Sequence, residues 1–133
     1  MFIDTSVVVA ILSDEEDAGF LAGHIEQASS RVTSALVVLE AVMRLSTKLA
    51  VEPEVAQAAV EALLAEADIE VVSIDAEDGR RAVRAFAEYG KGRGHPAQLN
   101  LADCLSYACA KNRSVPLLYK GNDFSHTDLA ASA

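Results

Sequence analysis

The first twelve residues, "MFIDTSVVVAIL" (1–12), place one carboxylate, Asp4, between two apolar runs. Residues 1–4 predict a short buried strand, and either Thr5 or Ser6 is a suitable cap for a helix that starts next. An acid at the end of such a strand belongs either to a solvated turn or to a catalytic site. The rest of the sequence must distinguish these two interpretations.

The remaining segments predict helices that alternate with short apolar strands. Strands are expected at 31–35, 69–74 and 115–120, and helices at 14–28, 36–50, 53–67, 75–89 and 99–113. This alternation indicates an α/β fold in which helices cover both faces of a parallel sheet. The helix at 36–50 has apolar residues nearly all round, so it is expected to be central. In such sheets, ligands bind beyond the carboxyl ends of the strands.

Composition indicates one domain with a substantial core. The chain has 133 residues, of which 51% are hydrophobic, and it contains neither a long apolar run nor a basic leader segment. We therefore expect a soluble cytoplasmic protein without a membrane segment. Cys104 and Cys109 lie in an apolar helical run, which favours buried, reduced thiols over a disulfide.

The net charge of −9 is unevenly distributed along the chain. Residues 1–78 hold 16 acidic and 3 basic residues, whereas residues 79–133 hold 4 acidic and 8 basic residues. The negative total argues against a nucleic-acid partner, but the second part of the chain is compatible with a local basic surface. Ordinary solvated helix faces explain the same distribution equally well.

Four acids occupy unusual positions. Asp4 and Asp123 follow the first and last predicted strands, which places both at the carboxyl edge of the sheet. Glu40 interrupts an apolar helix, and an i,i+4 pair with Arg44 is its simplest structural explanation. Asp103 shares a helical face with other polar residues, namely Asn100, Ser106 and Tyr107. Taken alone, that stripe is better explained as a solvated face than as the wall of a cleft.

Convergence of these four acids would require a proton or a cation, because two unit charges about 4 Å apart cost about 4 kcal/mol at an effective dielectric near 20. Oxygen ligands without His or Cys select Mg²⁺ or Mn²⁺, and such a site suits phosphodiester cleavage. Other enzyme classes fit poorly. The chain has no GxxxxGK[ST] phosphate loop, no GxGxxG after the first strand, and no paired spacing among its three histidines for zinc.

Four segments together resemble the motifs of the PIN-domain ribonucleases, specifically the VapC-type toxins of toxin–antitoxin modules. They are "FIDTS" (2–6), "SALVVLEAVMRL" (34–45), "HPAQLNLADCLSYACAK" (95–111) and "LLYKGNDFSHTD" (117–128). The resemblance covers essentially the whole chain, 1–133, as a single PIN domain. It implies a three-layer α/β/α fold with a central, mostly parallel sheet of four to five short strands.

The resemblance also implies roles for particular residues. The catalytic acids would be Asp4, Glu40, Asp103 and Asp123, with Asp4 and Asp103 as ligands of Mg²⁺, for which Mn²⁺ can substitute. Thr5, Ser6 and Asn122 would support these ligands, and Arg93, Lys91 and Arg44 would contact substrate phosphate. Asn122 departs from the family pattern, in which an acid often stands at that position, so either Asn122 or Asp123 faces the metal.

The implied activity is a metal-dependent endoribonuclease that acts as a toxin and is neutralised by a VapB-like antitoxin. The implied assembly is a homodimer that forms a heterotetramer or larger complex with the antitoxin, with DNA contacted only through the antitoxin. The alternative is a catalytically degraded PIN-like domain that binds RNA or a protein partner without cleavage. Asn122 is the feature that favours this alternative.

Overall fold

The computed structural model describes residues 1–130, which form four short strands and six helices. The strands are β1 (Phe2–Ile3), β2 (Val32–Ser34), β3 (Glu70–Val72) and β4 (Leu117–Leu118). The helices are α1 (Thr5–Leu12), α2 (Ala18–Gln27), α3 (Ala35–Leu49), α4 (Pro53–Glu66), α5 (Ala76–Tyr89) and α6 (Leu101–Asn112). The predicted α/β class is confirmed, and each strand is shorter than its predicted segment.

All strand pairs are parallel, in the order β3-β2-β1-β4. Phe2 pairs with Val32 on one side and with Leu117 on the other, so β1 is an inner strand. The chain moves from β1 to β2 and β3 in one direction, and β4 returns to the opposite side of β1. The order of strands therefore reverses between β1 and β4, where open α/β sheets form their ligand crevice.

Helices cover both faces of the inner strands. Side chains of consecutive strand residues point to opposite faces, and both residues of β1, Phe2 and Ile3, are fully buried. The same holds for Leu117 and Leu118 of β4. Strand β3 lies at the sheet edge and leaves Val71 exposed. Continuous apolar residues thus fill the inner strand β1 and the edge strand β4, as expected for a parallel sheet with two helical layers.

The first helical region differs from its prediction in two ways. Asp4, rather than Thr5 or Ser6, caps α1. The segment 14–28 is not one helix, because α1 ends at Leu12 and Asp14 adopts a left-handed conformation with φ +53°. Asp17 then precedes a separate helix, α2. The run of acids at 14–17 therefore forms a turn between two helices.

Helix α3 is less central than its composition predicts. Ser34 caps it through a hydrogen bond from the Val37 amide, as expected. Its outer side, however, leaves Leu39 and Met43 exposed. Pro53 begins α4 and Asp75 caps α5, in agreement with the sequence. None of the helices among residues 1–130 is long and apolar enough to cross a bilayer.

Candidate active site

Asp4 lies where β1 turns into α1. Its extended backbone, with φ −78° and ψ 158°, ends the strand, and its carboxylate caps the helix. Oδ2 of Asp4 accepts hydrogen bonds from the backbone amide of Ser6 at 3.1 Å and from its hydroxyl at 2.6 Å. Asp4 is 5% exposed. The carboxylate that interrupts the first apolar run is thus a buried, oriented group at the carboxyl end of β1.

Asp103 is held at the start of α6 by a reciprocal cap. The Asp103 amide donates to Asn100 Oδ1 at 2.9 Å, and Asp103 Oδ2 accepts from the Asn100 amide at 3.1 Å. Asp103, Ser106 and Tyr107 are all buried, whereas the apolar Leu101 is 77% exposed. The interpretation of this stripe as a solvated face is therefore wrong, because the polar side of α6 faces into the protein.

Glu40 and Asp123 lie within electrostatic range of these two buried acids. Glu40 projects from α3 and is half-buried, and its charge raises the pKa of both Asp4 and Asp103. Asp123 is exposed in the turn after β4, and its charge also raises the pKa of Asp103. Within residues 1–130, Glu40 forms no ion pair with Arg44. The structure thus brings the four acids to one region at the carboxyl edge of the sheet.

Burial is the largest cause of the raised pKa values of Asp4 and Asp103. It raises the pKa of Asp4, an effect that the hydrogen bonds from Ser6 oppose and the charge of Glu40 reinforces. Burial, together with the charges of Asp4, Asp123 and Glu40, raises the pKa of Asp103 to about 7. Among the described residues, neither Asp4 nor Asp103 forms an ion pair. The cluster therefore holds a proton or attracts a cation.

The donor chemistry of the cluster fits a hard divalent cation. Asp4 and Asp103 each use Oδ2 for the hydrogen bonds described above, and the Ser106 hydroxyl also acts on the Asp4 carboxylate. The donors are carboxylate oxygens, which Mg²⁺ and Mn²⁺ prefer. Within residues 1–130, no group of three or more His, Cys, Asp or Glu side chains is placed closely enough to coordinate one metal ion. The carboxylates match such an ion in chemistry but are not arranged as a finished coordination sphere.

The predicted supporting residues differ in their surroundings. The Ser6 hydroxyl accepts from the Lys120 amide at 2.9 Å while it donates to Asp4, so it joins the ends of β1 and β4. Thr5 is buried, and its hydroxyl is the one buried side-chain oxygen or nitrogen without a hydrogen-bond partner in residues 1–130. Asn122 is exposed, and its carbonyl accepts from the Ser125 amide and hydroxyl. Ser6 thus has the clearest structural role of the three.

The predicted phosphate-binding residues are all exposed, but they lie in two places. Lys91 borders an apolar cavity between α5 and α6, and the Arg93 guanidinium lies 5.7 Å from the centre of the Phe86 ring. Arg44 borders a separate depression beside Met43 on α3. The cavity that Lys91 lines also includes Asn100, the cap of the Asp103 helix. The loop at 90–100 thus links Lys91 and Arg93 to the helix that carries Asp103, whereas Arg44 lies on α3, one helical turn after Glu40.

Sequence reasoning gave no site role to two further residues. Ser106 is buried on α6, and its hydroxyl lowers the pKa of Asp4. Its membership of the polar stripe was the available signal. Lys120 lies at the end of β4 and forms ion pairs with Glu15 and Asp17 from the distant acidic turn. No sequence spacing reveals these pairs, because more than 100 residues separate the partners.

Comparison with known proteins agrees with this geometry. The family model described as "PIN domain" matches residues 1–129. The crystal structure of VapC20 from Mycobacterium tuberculosis, a toxin that cleaves the sarcin–ricin loop, superposes with a TM-score of 0.71 at 17% identity. That superposition covers 93% of this chain and 92% of VapC20. At this identity the structural likeness establishes the fold.

Sequence relatives are considerably closer. The chain is 43% identical to ribonuclease VapC28 of Mycobacterium tuberculosis, over 96% of this chain and 93% of that protein. It is 42% identical to the VapC ribonuclease R02377 of Rhizobium meliloti, over 96% of this chain and 98% of that protein. The chain belongs to the PIN-domain family and to its VapC branch.

Proposed function

We propose that this chain is a metal-dependent endoribonuclease that acts as the toxin of a toxin–antitoxin pair. It hydrolyses RNA phosphodiester bonds, works in the cytoplasm as a single PIN domain over residues 1–133, and is neutralised by a VapB-like antitoxin. The VapC ribonucleases at 41–43% identity support the reaction class. The residues 131–133 lie outside the described part of the structure.

One observation carries this proposal. Asp4 and Asp103 are buried without an ion pair to any of residues 1–130, and the charges of Asp4, Glu40 and Asp123 all raise the pKa of Asp103. A purely structural buried acid normally has a positively charged partner. A cluster without one, located where the strand order reverses, is better explained as a receptor for a cation and an anionic substrate.

The residues of the chain have distinct roles in this mechanism. A divalent ion, when bound, would polarise a phosphoryl oxygen and lower the pKa of water. Asp4 and Asp103 would hold that ion, and Ser6 keeps the Asp4 carboxylate oriented by its two hydrogen bonds. Glu40 and Asp123 add negative charge that attracts the ion. Lys91 and Arg93 would position the RNA backbone without reading its sequence.

The direct test is RNA cleavage by purified Asp4→Asn in Mg²⁺. We expect the rate to fall at least about 100-fold, because the substitution removes a charge from the centre of the cluster. Asp68→Asn is the matched control, since Asp68 is an exposed acid that precedes β3 and so lies at the opposite edge of the sheet. Cleavage by Asp4→Asn at the wild-type rate would show that Asp4 does not bind the catalytic ion.

The second candidate is a degraded domain that binds RNA or a protein without cleavage. Two observations favour it, namely Asn122 in place of a common family acid and the lack of a finished coordination arrangement in residues 1–130. Titration with Mn²⁺ distinguishes the candidates. An active enzyme binds Mn²⁺ at a defined stoichiometry and loses that binding in Glu40→Gln, whereas a degraded domain binds it weakly in both forms.

The antitoxin proposal draws on an exposed apolar surface beside α3. Leu39 and Met43, one turn apart on α3, are both exposed, and Met43 borders a depression that also includes Val9. This surface suits an apolar helix of a partner protein. Growth arrest on expression of this chain alone, relieved by coexpression of a cognate VapB-like protein, would support the pairing. Persistent arrest in the presence of every neighbouring small reading frame would contradict it.

The homodimer proposal draws on a different surface. Val83, Phe86 and Leu101 are exposed around a cavity of about 530 Å³ between α5 and α6. A second copy of the chain would cover this apolar face, and a dimer would then form a heterotetramer or larger complex with the antitoxin. Sedimentation of wild type and of Val83→Asp tests this proposal. A wild-type monomer at micromolar concentration would contradict it.

A further inference from the structure

Lys120 joins two regions that are distant in sequence. It follows β4, and its Nζ forms ion pairs with Glu15 and with Asp17 Oδ1, the second at 3.0 Å. Both acids belong to the turn between α1 and α2. Asp17 precedes α2 but makes no side-chain cap to that helix, so its carboxylate is available to Lys120. Lys48 of α3 contacts Glu15 as well, at 2.6 Å.

Lys120 also marks the point where the chain leaves the sheet toward Asp123. The Lys120 amide donates to the Ser6 hydroxyl, which in turn donates to Asp4. Gly121 follows with φ +98°, and Phe124 is fully buried against the Tyr119 ring. The turn is therefore fixed at its two ends, by Lys120 and by Phe124. Asn122 and Asp123 are exposed between these anchors.

We propose that Lys120 is a positioning residue for RNA cleavage, which acts by tying the Asp123 turn to the α1–α2 turn through Glu15 and Asp17. The inference rests on the proposed nuclease function. Through Lys120, the acidic turn at 14–17 would thus hold Asp123 in place, although more than 100 residues separate the two segments.

Because these ion pairs are partly exposed, they are expected to fix the position of the turn at 120–124 more than they stabilise the folded protein. The Lys120 side chain is 36% exposed, and ion pairs at this exposure contribute little to the free energy of unfolding. They do restrict where a short turn lies, and a displacement of about 1 Å can reduce catalysis about 100-fold. A residue that binds substrate instead would need its charge free, whereas Glu15 and Asp17 already neutralise Lys120.

The test compares Lys120→Met, Glu15→Gln and their combination in Mg²⁺-dependent cleavage. We expect kcat to fall about 10- to 100-fold in Lys120→Met, with KM nearly unchanged, because the turn loses both ion pairs. Glu15→Gln should lower kcat less, because Lys120 keeps its ion pair with Asp17. The double variant should be no worse than Lys120→Met, since neither side chain retains its partner. Lys120→Arg should recover most of the activity. Lys48→Gln is the matched control and should retain wild-type kcat, because it removes only the other cation from Glu15.

A second readout does not depend on cleavage. Hydrogen exchange of the amides at 120–124 should accelerate in Lys120→Met and in Glu15→Gln, but not in Lys48→Gln, while the melting temperatures stay close to that of wild type. Unchanged exchange with unchanged kcat would overturn the inference. A rise in KM in Lys120→Met, with full activity in Glu15→Gln, would also overturn it, because Lys120 would then contact RNA directly. If wild type itself does not cleave RNA, the nuclease proposal fails, and the exchange data still decide whether Lys120 anchors the turn.

Discussion

Two helix starts in this protein share nearly the same local geometry and differ sharply in electrostatics. Asp78 in α5 and Asp103 in α6 each occupy the third helical position, and each accepts a hydrogen bond from its capping residue's amide at 3.1 Å. Both carboxylates are buried. The pKa of Asp78 nevertheless falls to about 2, whereas that of Asp103 rises to about 7.

The difference lies in what surrounds each carboxylate. Burial alone would raise the pKa of Asp78. The Arg113 guanidinium, at 3.0 Å, and the Asn112 side-chain amide, at 2.9 Å, lower that pKa by more than burial raises it. Around Asp103, by contrast, burial and the charges of other acids both favour the protonated form. The comparison shows that a capping motif and burial alone do not identify a functional acid. The missing cation distinguishes the site from the structural pair.

Activity should separate the two helix starts most strongly. Asp103→Asn should reduce RNA cleavage at least about 100-fold, because it removes a charge that would hold the catalytic ion. Asp78→Asn can still accept the hydrogen bond from the Asp75 amide, and Asp78 contacts none of the four acids. The folded variant should therefore cleave RNA at close to the wild-type rate. Measuring kcat/KM for both variants at a temperature where both are folded checks this expectation. Equal losses would contradict the assignment of different roles.

Unfolding free energy should show the opposite ranking. Asp78→Asn should destabilise the protein by about 2–4 kcal/mol, since it leaves the Arg113 guanidinium without its carboxylate partner. Asp103→Asn at pH 8 should stabilise the metal-free protein by about 1 kcal/mol or more, because it removes a charge that burial disfavours. Urea denaturation in the presence of a chelator measures both values. A loss of stability in Asp103→Asn at pH 8 would argue against the electrostatic burden on the cluster.

The pH dependence of stability has two limbs with different origins. Asp78 has a folded pKa of about 2, below its ordinary value of 3.8, so its contribution is complete above pH 4 and declines as pH falls toward 2. Asp103 has a folded pKa of about 7, above 3.8, so protonation favours folding below pH 4 and this benefit disappears as pH rises through 7. Metal-free melting curves should show both limbs. Asp78→Asn should flatten the acid limb and Asp103→Asn the limb near pH 7.

Thr5 provides a smaller test beside Asp4. Thr5→Val replaces a buried hydroxyl that has no hydrogen-bond partner among residues 1–130, so we expect the free energy of unfolding to rise by up to about 1 kcal/mol. If the hydroxyl supports the ligands, cleavage should fall about 10-fold in the same variant. Thr33→Val is the matched control, because the Thr33 hydroxyl donates to the Ile3 carbonyl at 2.8 Å and its loss should destabilise the sheet without an effect on kcat. Wild-type cleavage by Thr5→Val would remove Thr5 from the site.

The sequence predicted much of this architecture because its signals are local. Apolar strands and good caps at Ser34 and Asp75 define elements by themselves, and the four motifs identify the acids through the family resemblance. The orientation of α6 was not predictable in the same way, because a polar stripe on one helix does not reveal whether its other side is covered. Leu101 and Asp103 lie on nearly opposite sides of α6. A solvent-facing Asp103 would therefore bury Leu101, but Leu101 is exposed and Asp103 is buried.

Long-range pairing explains the remaining gaps. Asp78 and Asp103 are both acids in the first turn of a helix, and only the folded chain shows that Arg113 reaches one of them. The ion pairs of Lys120 depend in the same way on the order of the strands. The helix predicted at 14–28 also failed at its start, where the left-handed conformation of Asp14 places residues 14–17 in a turn.

Binding of Mn²⁺ measured by calorimetry in two buffers of different ionisation enthalpy tests the central claim most directly. The account predicts that wild type binds Mn²⁺ at pH 7 and releases protons, because Asp103 must ionise to become a ligand. Asp78→Asn should release the same number of protons, whereas Asp103→Asn should bind weakly and release fewer. Absence of Mn²⁺ binding by wild type, or binding without proton release, would contradict the account.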